Sequence, residues 1–145
     1  LSRSPIQNLP AQAIISSIET RLSGNIKRLD LTVLPIYDAF PSTFRGWDFI
    51  ELFGHDIEMI DQGLYRAEVT LNIFSSYSGY KEANSVLEQV NNFLAAQLRD
   101  MTGFIDVSEG GSFLSARATK RETEAGEVVR QIVYKREWQI ADNKF

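Results

Sequence analysis

The residues from Tyr65 to Phe74 switch character at almost every step: Tyr65, Ala67, Val69, Leu71 and Ile73 are apolar, and Arg66, Glu68, Thr70 and Asn72 are polar. Period two over that length builds a strand with one buried face and one face that is wet or lies in an interface. A few residues later the period turns helical. From Gly79 to Leu98 an apolar stripe runs through Tyr80, Ala83, Val86, Leu87, Val90, Phe93, Leu94 and Leu98, while Lys81, Glu82, Glu88, Gln89 and Asn92 face away. The strand therefore ends at the rim of a layer, and the helix must fold back across that layer to hide its stripe. Between them lies SSYSG (75–79). Ser78 is expected to cap the helix, and Glu82 favours the helix dipole from the first turn. A helix start of this kind can also hold a phosphate. This one lacks both the Gly-x4-Gly-Lys-Ser/Thr and the Gly-x-Gly-x2-Gly spacings, so a cap is the expectation.

The remaining elements follow from the same two periods. Pro10 to Leu22 reads as a helix, with Ala13, Ile14, Ile18 and Leu22 at helical spacing and Gly24 at the stop. Leu29 to Leu34 is a short strand candidate, followed by an extended IYDAFPS that turns at Pro41. Trp47 to Phe53 is a further strand. Gly54 to Gly63 reads as a polar connection, through part of which Ile57 and Met59 extend a strand. Ser112 to Thr119 and Val128 to Ile140 are strands joined by the turn KRETEAGE (120–127). In the last strand Val128, Ile132, Tyr134, Trp138 and Ile140 share a face, with Arg130 and Arg136 as exceptions. The order helix, strands, helix, strands predicts an α+β fold. It is a two-layer sandwich, a mixed or antiparallel sheet with two helices packed on one face. The 145 residues suit one domain, 1–145, with residues 1–8 as a flexible arm.

Composition narrows the chemistry. The chain has no cysteine, which removes disulfides, thiolate metal sites and cysteine nucleophiles. Its net charge is −4, and no basic cluster forms a nucleic-acid footprint. No apolar run approaches the ~20 residues of a membrane span, and LSRSPIQNLP lacks the order of a signal peptide. The single histidine, His55, sits beside Asp56 but has no nucleophile in an elbow motif, and a solvated side chain is the expectation. Asp56, Glu58 and Asp61 miss the calcium-loop pattern. SEGGS (108–112) reads as a loop between strands. No catalytic residue, cofactor or metal is expected. Two loops are the candidate contact surfaces. FPSTFRGW (40–47) brings aromatics and an arginine together, residue types enriched at contact centres. KRETEAGE reads first as a solvated tip and second as a docking contact. The candidate interface residues are Phe44, Arg45, Trp47, Lys120, Arg121, Glu122 and Glu124.

Four stretches resemble the tail terminator (tail-completion, or head-tail joining) proteins of long-tailed bacteriophages. They are LPAQAIISSIETRL, VLPIYDAFPS, LNIFSSYSGYKEANSVLEQVNNFLAAQL and YKREWQI, within residues 9 to 141. The family tends to show a V-Y-D-x-x-P segment, then a strand ending in a bulky residue and Ser, then a helix opening with Gly, x, x, Glu, Ala. The loop FGHDIEMIDQG has no counterpart there, and Arg45 to Trp47 replaces a proline-containing segment. The resemblance implies a non-enzymatic virion protein, assembled in the host cytoplasm and sited at the head-proximal end of the tail. It implies a hexameric ring that caps the tail tube, stops tube polymerisation and offers a surface to the head-side connector, with DNA passing through unread. The acidic balance and the missing DNA footprint agree. The alternatives are another head-tail neck protein, such as a stopper or head-completion protein, and a small ligand-binding α+β domain.

Overall fold

The computed structural model describes residues 9–38 and 46–143; the N-terminal arm expected at residues 1–8 lies outside them. Eight elements follow in chain order: α1 (Ala11–Leu22), β1 (Ile36–Tyr37), β2 (Phe49–Asp61), β3 (Leu64–Ser75), α2 (Lys81–Leu94), β4 (Phe104–Asp106), β5 (Ser112–Glu122) and β6 (Val128–Asp142). The strands form one six-stranded sheet in the order β1-β2-β3-β6, with β5 and β4 end to end along the far border of β6. β1 pairs in parallel with β2, and every other pairing is antiparallel. Both helices pack on one face, giving the expected α+β arrangement.

The inward face follows from the alternation. Tyr65, Ala67, Val69, Leu71 and Ile73 of β3 lie beside Ile140, Trp138, Arg136, Tyr134 and Ile132 of β6. Ile14, Ile18 and Leu22 of α1 and Val86, Val90 and Leu94 of α2 close over them. Leu98, Met101 and Phe104 continue that cover past the end of α2, where the Phe104 ring meets Tyr65 edge-on at 6.5 Å. The cover is shorter than the sheet. At 1.5 Å per residue the 14 residues of α2 span about 21 Å. At 3.3 Å per residue the 15 residues of β6 span about 50 Å. The strands therefore run past the helices.

That overhang corrects the reading of Gly54 to Gly63. The segment continues β2 to Asp61 and returns through the two residues Gln62 and Gly63, with Gly63 at a left-handed φ of 70°. It looked like a connection because side chains on both of its faces meet solvent, so no alternation marks it. Leu29 to Leu34 is the opposite correction. Only Lys27 and Val33 bridge, and the carboxylate of Asp30 accepts hydrogen bonds from the Thr32 amide (3.0 Å) and hydroxyl (2.6 Å). That local turn overrides the apolar run. It leaves Leu31 79% exposed at a left-handed φ of 69°.

Three more expectations change along α2 and β6. The helix spans Lys81–Leu94, not Gly79 to Leu98. Its buried line is Glu82, Val86, Val90 and Leu94 with Ala83 alongside, so Glu82 faces in and Phe93, 36% exposed, faces out. In β6 it is Val129 that is buried while Val128 is exposed. Arg136 points inward with the apolar residues and is 5% exposed. Its guanidinium donates to the Gly110 carbonyl (2.7 Å), Asn91 Oδ1 (3.0 Å) and the Tyr134 hydroxyl (3.2 Å). Burial raises the Tyr134 phenol above its ordinary range, and the hydrogen bond from Arg136 offsets part of that rise.

Leu94→Ala should cost about 2–5 kcal/mol through the cavity it leaves, and Phe93→Ala less than about 1 kcal/mol because its ring is already partly in water. Urea unfolding of the two variants measures both; equal losses would place Phe93 in the core after all.

Candidate functional site

Two polar clusters tie down the ends of α2, and neither is free to bind a ligand in the way the Ser/Gly junction suggested. At the N-terminal end the Glu82 carboxylate accepts hydrogen bonds from Arg28 Nε (2.9 Å), the Leu29 amide (3.3 Å) and the Ser75 hydroxyl (3.1 Å). Asp48 accepts from the amide (2.9 Å) and hydroxyl (2.6 Å) of Ser76 and lies 3.4 Å from Arg28. The hydrogen bond to Glu82, with the charge of Asp48 behind it, holds Arg28 above its ordinary pKa. The chain's own carboxylates thus occupy the neighbourhood an anion would need. Ser78 is exposed and does not cap the helix. Tyr80 holds the N-cap position, and no side chain bonds there. Glu82 was detectable in the sequence, since it sits four and eight residues before Val86 and Val90 on one helical line.

At the C-terminal end Arg21 of α1 donates to the carbonyls of Phe93 (3.0 Å), Ala96 (2.8 Å) and Gln97 (2.5 Å). These are the orphan acceptors of a helix end that no glycine closes. The loop SEGGS folds around Asp106, which is fully buried. Its carboxylate accepts from the amides of Leu98 (2.9 Å), Ser108 (3.0 Å) and Gly110 (2.9 Å) and from the Ser108 hydroxyl (2.5 Å). A side chain at Gly110 would run into the Ala95 carbonyl, and one at Gly111 into that of Glu137. Both glycines also hold left-handed φ angles, of 107° and 70°. This loop packs the fold together and offers no ligand site.

The site that remains open lies on the other face of the sheet. Tyr37, Trp47, Phe49 and Phe74 form an aromatic shelf there, with the Phe49 and Phe74 centroids 4.9 Å apart and Trp47 edge-on to Phe74 at 5.2 Å. The Arg121 guanidinium lies over Trp47 at 5.0 Å and over Phe74 at 5.8 Å. Beside the shelf, a cleft of about 460 Å³ is lined by Trp47, Arg121, Glu122, Thr123, Glu124 and Glu127. The turn that closes it is set by Thr123. Its amide donates to the Glu127 carbonyl (2.8 Å), and its carbonyl accepts from Gly126 (2.9 Å). Gly126 holds a φ of 78°.

The structure therefore brings together Trp47 with Arg121, Glu122 and Glu124, which the sequence placed in two separate candidate loops. Lys120 is exposed on the adjoining part of β5. Phe44 and Arg45 lie outside the described residues. The cleft is rimmed by carboxylates, and among the described residues its one lining cation is engaged on the rings, so it suits contact with a positively charged or apolar surface. His55 is elsewhere, exposed on β2 opposite Val69. It and Asp56 are strand neighbours that point to opposite faces, so they do not form a dyad. Among the described residues no group of His, Asp and Glu could hold a metal ion, and no helix is long and apolar enough to cross a membrane.

The middle of the outer face carries a ladder of charge. Arg66 reaches Glu58 (2.8 Å), Glu137 (3.0 Å) and Glu68 (3.6 Å), and Lys135 lies 3.9 Å from Glu68. Hydrogen bonds to Glu58 and Glu137 raise the Arg66 pKa further above an already high value. Asn72 bridges Glu51 (3.1 Å) and Gln131 (3.3 Å) beside it.

No protein-family model matches the chain, and no curated protein matches it in sequence. Among solved structures, one chain from the virion of a native gene transfer agent particle has the same fold, with a TM-score of 0.64. The match covers 93% of this chain and 99% of that one at 17% sequence identity.

Replacing Glu82 with Ala leaves Arg28 with Asp48 alone and the Ser75 hydroxyl without its acceptor, and should cost about 2–4 kcal/mol given that Arg28 keeps some solvent. Ser78→Ala should stay within about 0.5 kcal/mol. Thermal unfolding of both variants checks the pair; a larger loss from Ser78→Ala would restore the capping role to that serine.

Proposed function

We propose that the chain is a structural component of a tailed virus or virus-like particle, and that it works at the head-proximal end of the tail. The observation that carries the coarser part is the shared fold over nearly the whole length of a gene transfer agent virion chain. The finer part rests on the four sequence stretches that resemble tail terminators. In this reading the chain assembles as a hexameric ring on the finished tube, blocks further polymerisation and receives the head-side connector. DNA crosses the lumen without being read. The protein is not an enzyme: its role is to present surfaces.

The surface at Trp47, Arg121, Glu122 and Glu124 supports the reading because it joins a rigid aromatic base to carboxylates that make no ion pair among the described residues, and such charges fix orientation more than they add affinity. Arg121 is less suited to reversal than its exposure suggests. Its stacking on Trp47 and Phe74 contributes about 0.5–1 kcal/mol of stability, so a change there mixes folding with contact.

The test is therefore Glu122→Lys combined with Glu124→Lys. The monomer should keep its stability within about 0.5 kcal/mol per site. Electron microscopy of particles made with the variant should show tails of uncontrolled length. His55→Ala should give normal particles. Normal tails from the double lysine variant would move the contact off this cleft. Tails of normal length that fail to join heads would assign the chain to another neck position, as a stopper or head-completion protein.

A further inference from the structure

Among the described residues, both borders of the main sheet end in strands whose outer edges are unpaired over most of their length. On one side β1 pairs with β2 only at Ile50 and Glu51; beyond that, nothing among the described residues pairs with the outer edge of β2. On the other side β5 pairs with β6 along its whole length, and nothing among the described residues pairs with its far edge. Open edges of this length are templates for another strand, and proteins commonly blunt them with proline or a covering element. Neither strand contains proline. The bulges in β2 fall between Leu52 and Gly54 and between Met59 and Asp61, and the one in β5 falls between Phe113 and Ser115. Gly54–Met59 and Ser115–Glu122 are left as regular stretches.

Charge distinguishes the two edges. β2 presents Asp56, Glu58 and Asp61 and no lysine or arginine; β5 presents Arg117, Lys120 and Arg121 against the single acid Glu122. Asp56 and Asp61 on one side, and Arg117 and Lys120 on the other, make no ion pair among the described residues. Exposed apolar side chains accompany them: Met59 and Ile60 on β2, Phe113 and Leu114 on β5.

We infer that the occupant of each edge is a second copy of this chain, with β5 of one subunit pairing antiparallel to β2 of the next. The inference rests on the ring proposed above and names its interface. Topology and charge support it independently. The strands β2, β3, β6 and β5 alternate in direction, so the two edges run opposite ways. A copy related by rotation alone then continues the antiparallel pattern, a head-to-tail contact that closes as a ring. Asp56 and Asp61, opposite Glu68 and Leu64, share the outer face with Arg117 and Arg121, opposite Val133 and Val129, whereas Lys120, opposite Arg130, points to the other face. A two-fold pairing of β5 with β5 would bring Arg117 and Arg121 toward each other's copies, and β2 with β2 would do the same for Asp56 and Asp61, which like-charge repulsion opposes. Only the head-to-tail pairing sets acid against base. The acidic stretch of β2 and the basic stretch of β5 lie at different heights in the sheet, because Gly54 is level with Ser115 through Thr70 and Lys135. Their contact thus needs neighbours shifted along the strands, the stagger that tilted strands impose on a closed ring.

The experiment uses three full-length variants. Asp56→Lys/Asp61→Lys makes both edges basic on the outer face, Arg117→Glu/Thr119→Glu makes both acidic, and Arg117→Lys keeps the charge while supplying an amine. All four positions are exposed, and circular dichroism melts establish that the variants fold. Assembly is read by sedimentation at high concentration. It is also read by carbodiimide coupling between isotopically labelled and unlabelled chains, which joins amines to carboxylates in contact. The Lys135–Glu68 pair at 3.9 Å within one chain is the internal control. The Arg117→Lys variant should assemble as wild type does and give interchain links from that lysine to Asp56, Glu58 or Asp61. Each double variant alone should lose assembly at least ten-fold. An equimolar mixture of the two double variants should recover it, because alternating subunits restore acid against base and close in any even-numbered ring. Rings from either double variant alone, or a mixture that stays dissociated, overturn the edge pairing while leaving the ring itself standing. A wild type that forms no rings, with no interchain links in Arg117→Lys although the control link forms, overturns the edge pairing. Normal capping of tubes by such a non-ring protein would separately overturn the ring.

Discussion

The ladder between β3 and β6 is the interaction on which the rest of the fold depends. It runs without a bulge from Leu64 opposite Ala141 to Ser75 opposite Arg130. Its two strands are distant in sequence, so every element between them must be accommodated by the return path. α2 fills that path on one face, and β4 and β5 fill it along the far border. The unbroken register also holds two faces of different chemistry in phase. One-residue slips would carry Leu71 and Tyr134 out and Lys135 and Glu68 in, so burial of the inner face fixes the outer one.

A sheet of this length under two short helices leaves α2 as the element most in need of anchoring. Polar groups supply it. Glu82 and Arg28 fix its start, Arg21 its last carbonyls, and Asp106 the chain just beyond. Arg136 binds the middle of the helix through Asn91. Each buried charge meets several donors or acceptors, which is the condition under which burial is tolerated. Arg136 has no carboxylate partner among the described residues. Its neighbours are carbonyl, amide and phenol oxygens and the face of Trp138 at 5.8 Å, beside the half of α2 toward its negative dipole end.

What could be read in the sequence divides along physical lines. β3, β6 and α2 were legible because each is half buried, and half burial writes a period. The outer part of β2 is exposed on both faces and writes none, so His55 to Asp61 passed for a connection. At Glu82 and Phe93 residue type and position disagree: the helical line through Val86, Val90 and Leu94 includes the glutamate and misses the phenylalanine. Arg136 kept its alternate place and was noticed, but its partners come from Gly110 and Asn91, far away in sequence. The candidate cleft was half legible. Two loops carried the right residue types, but only the turn after β5 and the approach to β2, brought side by side by the β2-β3-β6-β5 order, put Trp47 beneath Arg121. Asp106 gave no signal in its own residues; the adjoining glycines marked a tight loop, not the carboxylate that organises it.

The two ends of the sheet differ in a way that matters for the proposed cap. The β5–β6 turn and the aromatic cleft lie at one end of the strands, and the β2–β3 turn at Gln62 and Gly63 lies at the other. In a ring closed through the strand edges, these ends become two separate rims. One presents Trp47 with Glu122 and Glu124. The other presents Ile60, Asp61 and Gln62. A terminator must fit the tube on one side and refuse another copy of itself on the other, and rims of different chemistry provide that asymmetry. The same geometry separates closure from attachment. In the proposed ring, edge charges on β2 and β5 would govern whether subunits join, and the cleft would govern what the joined ring can hold.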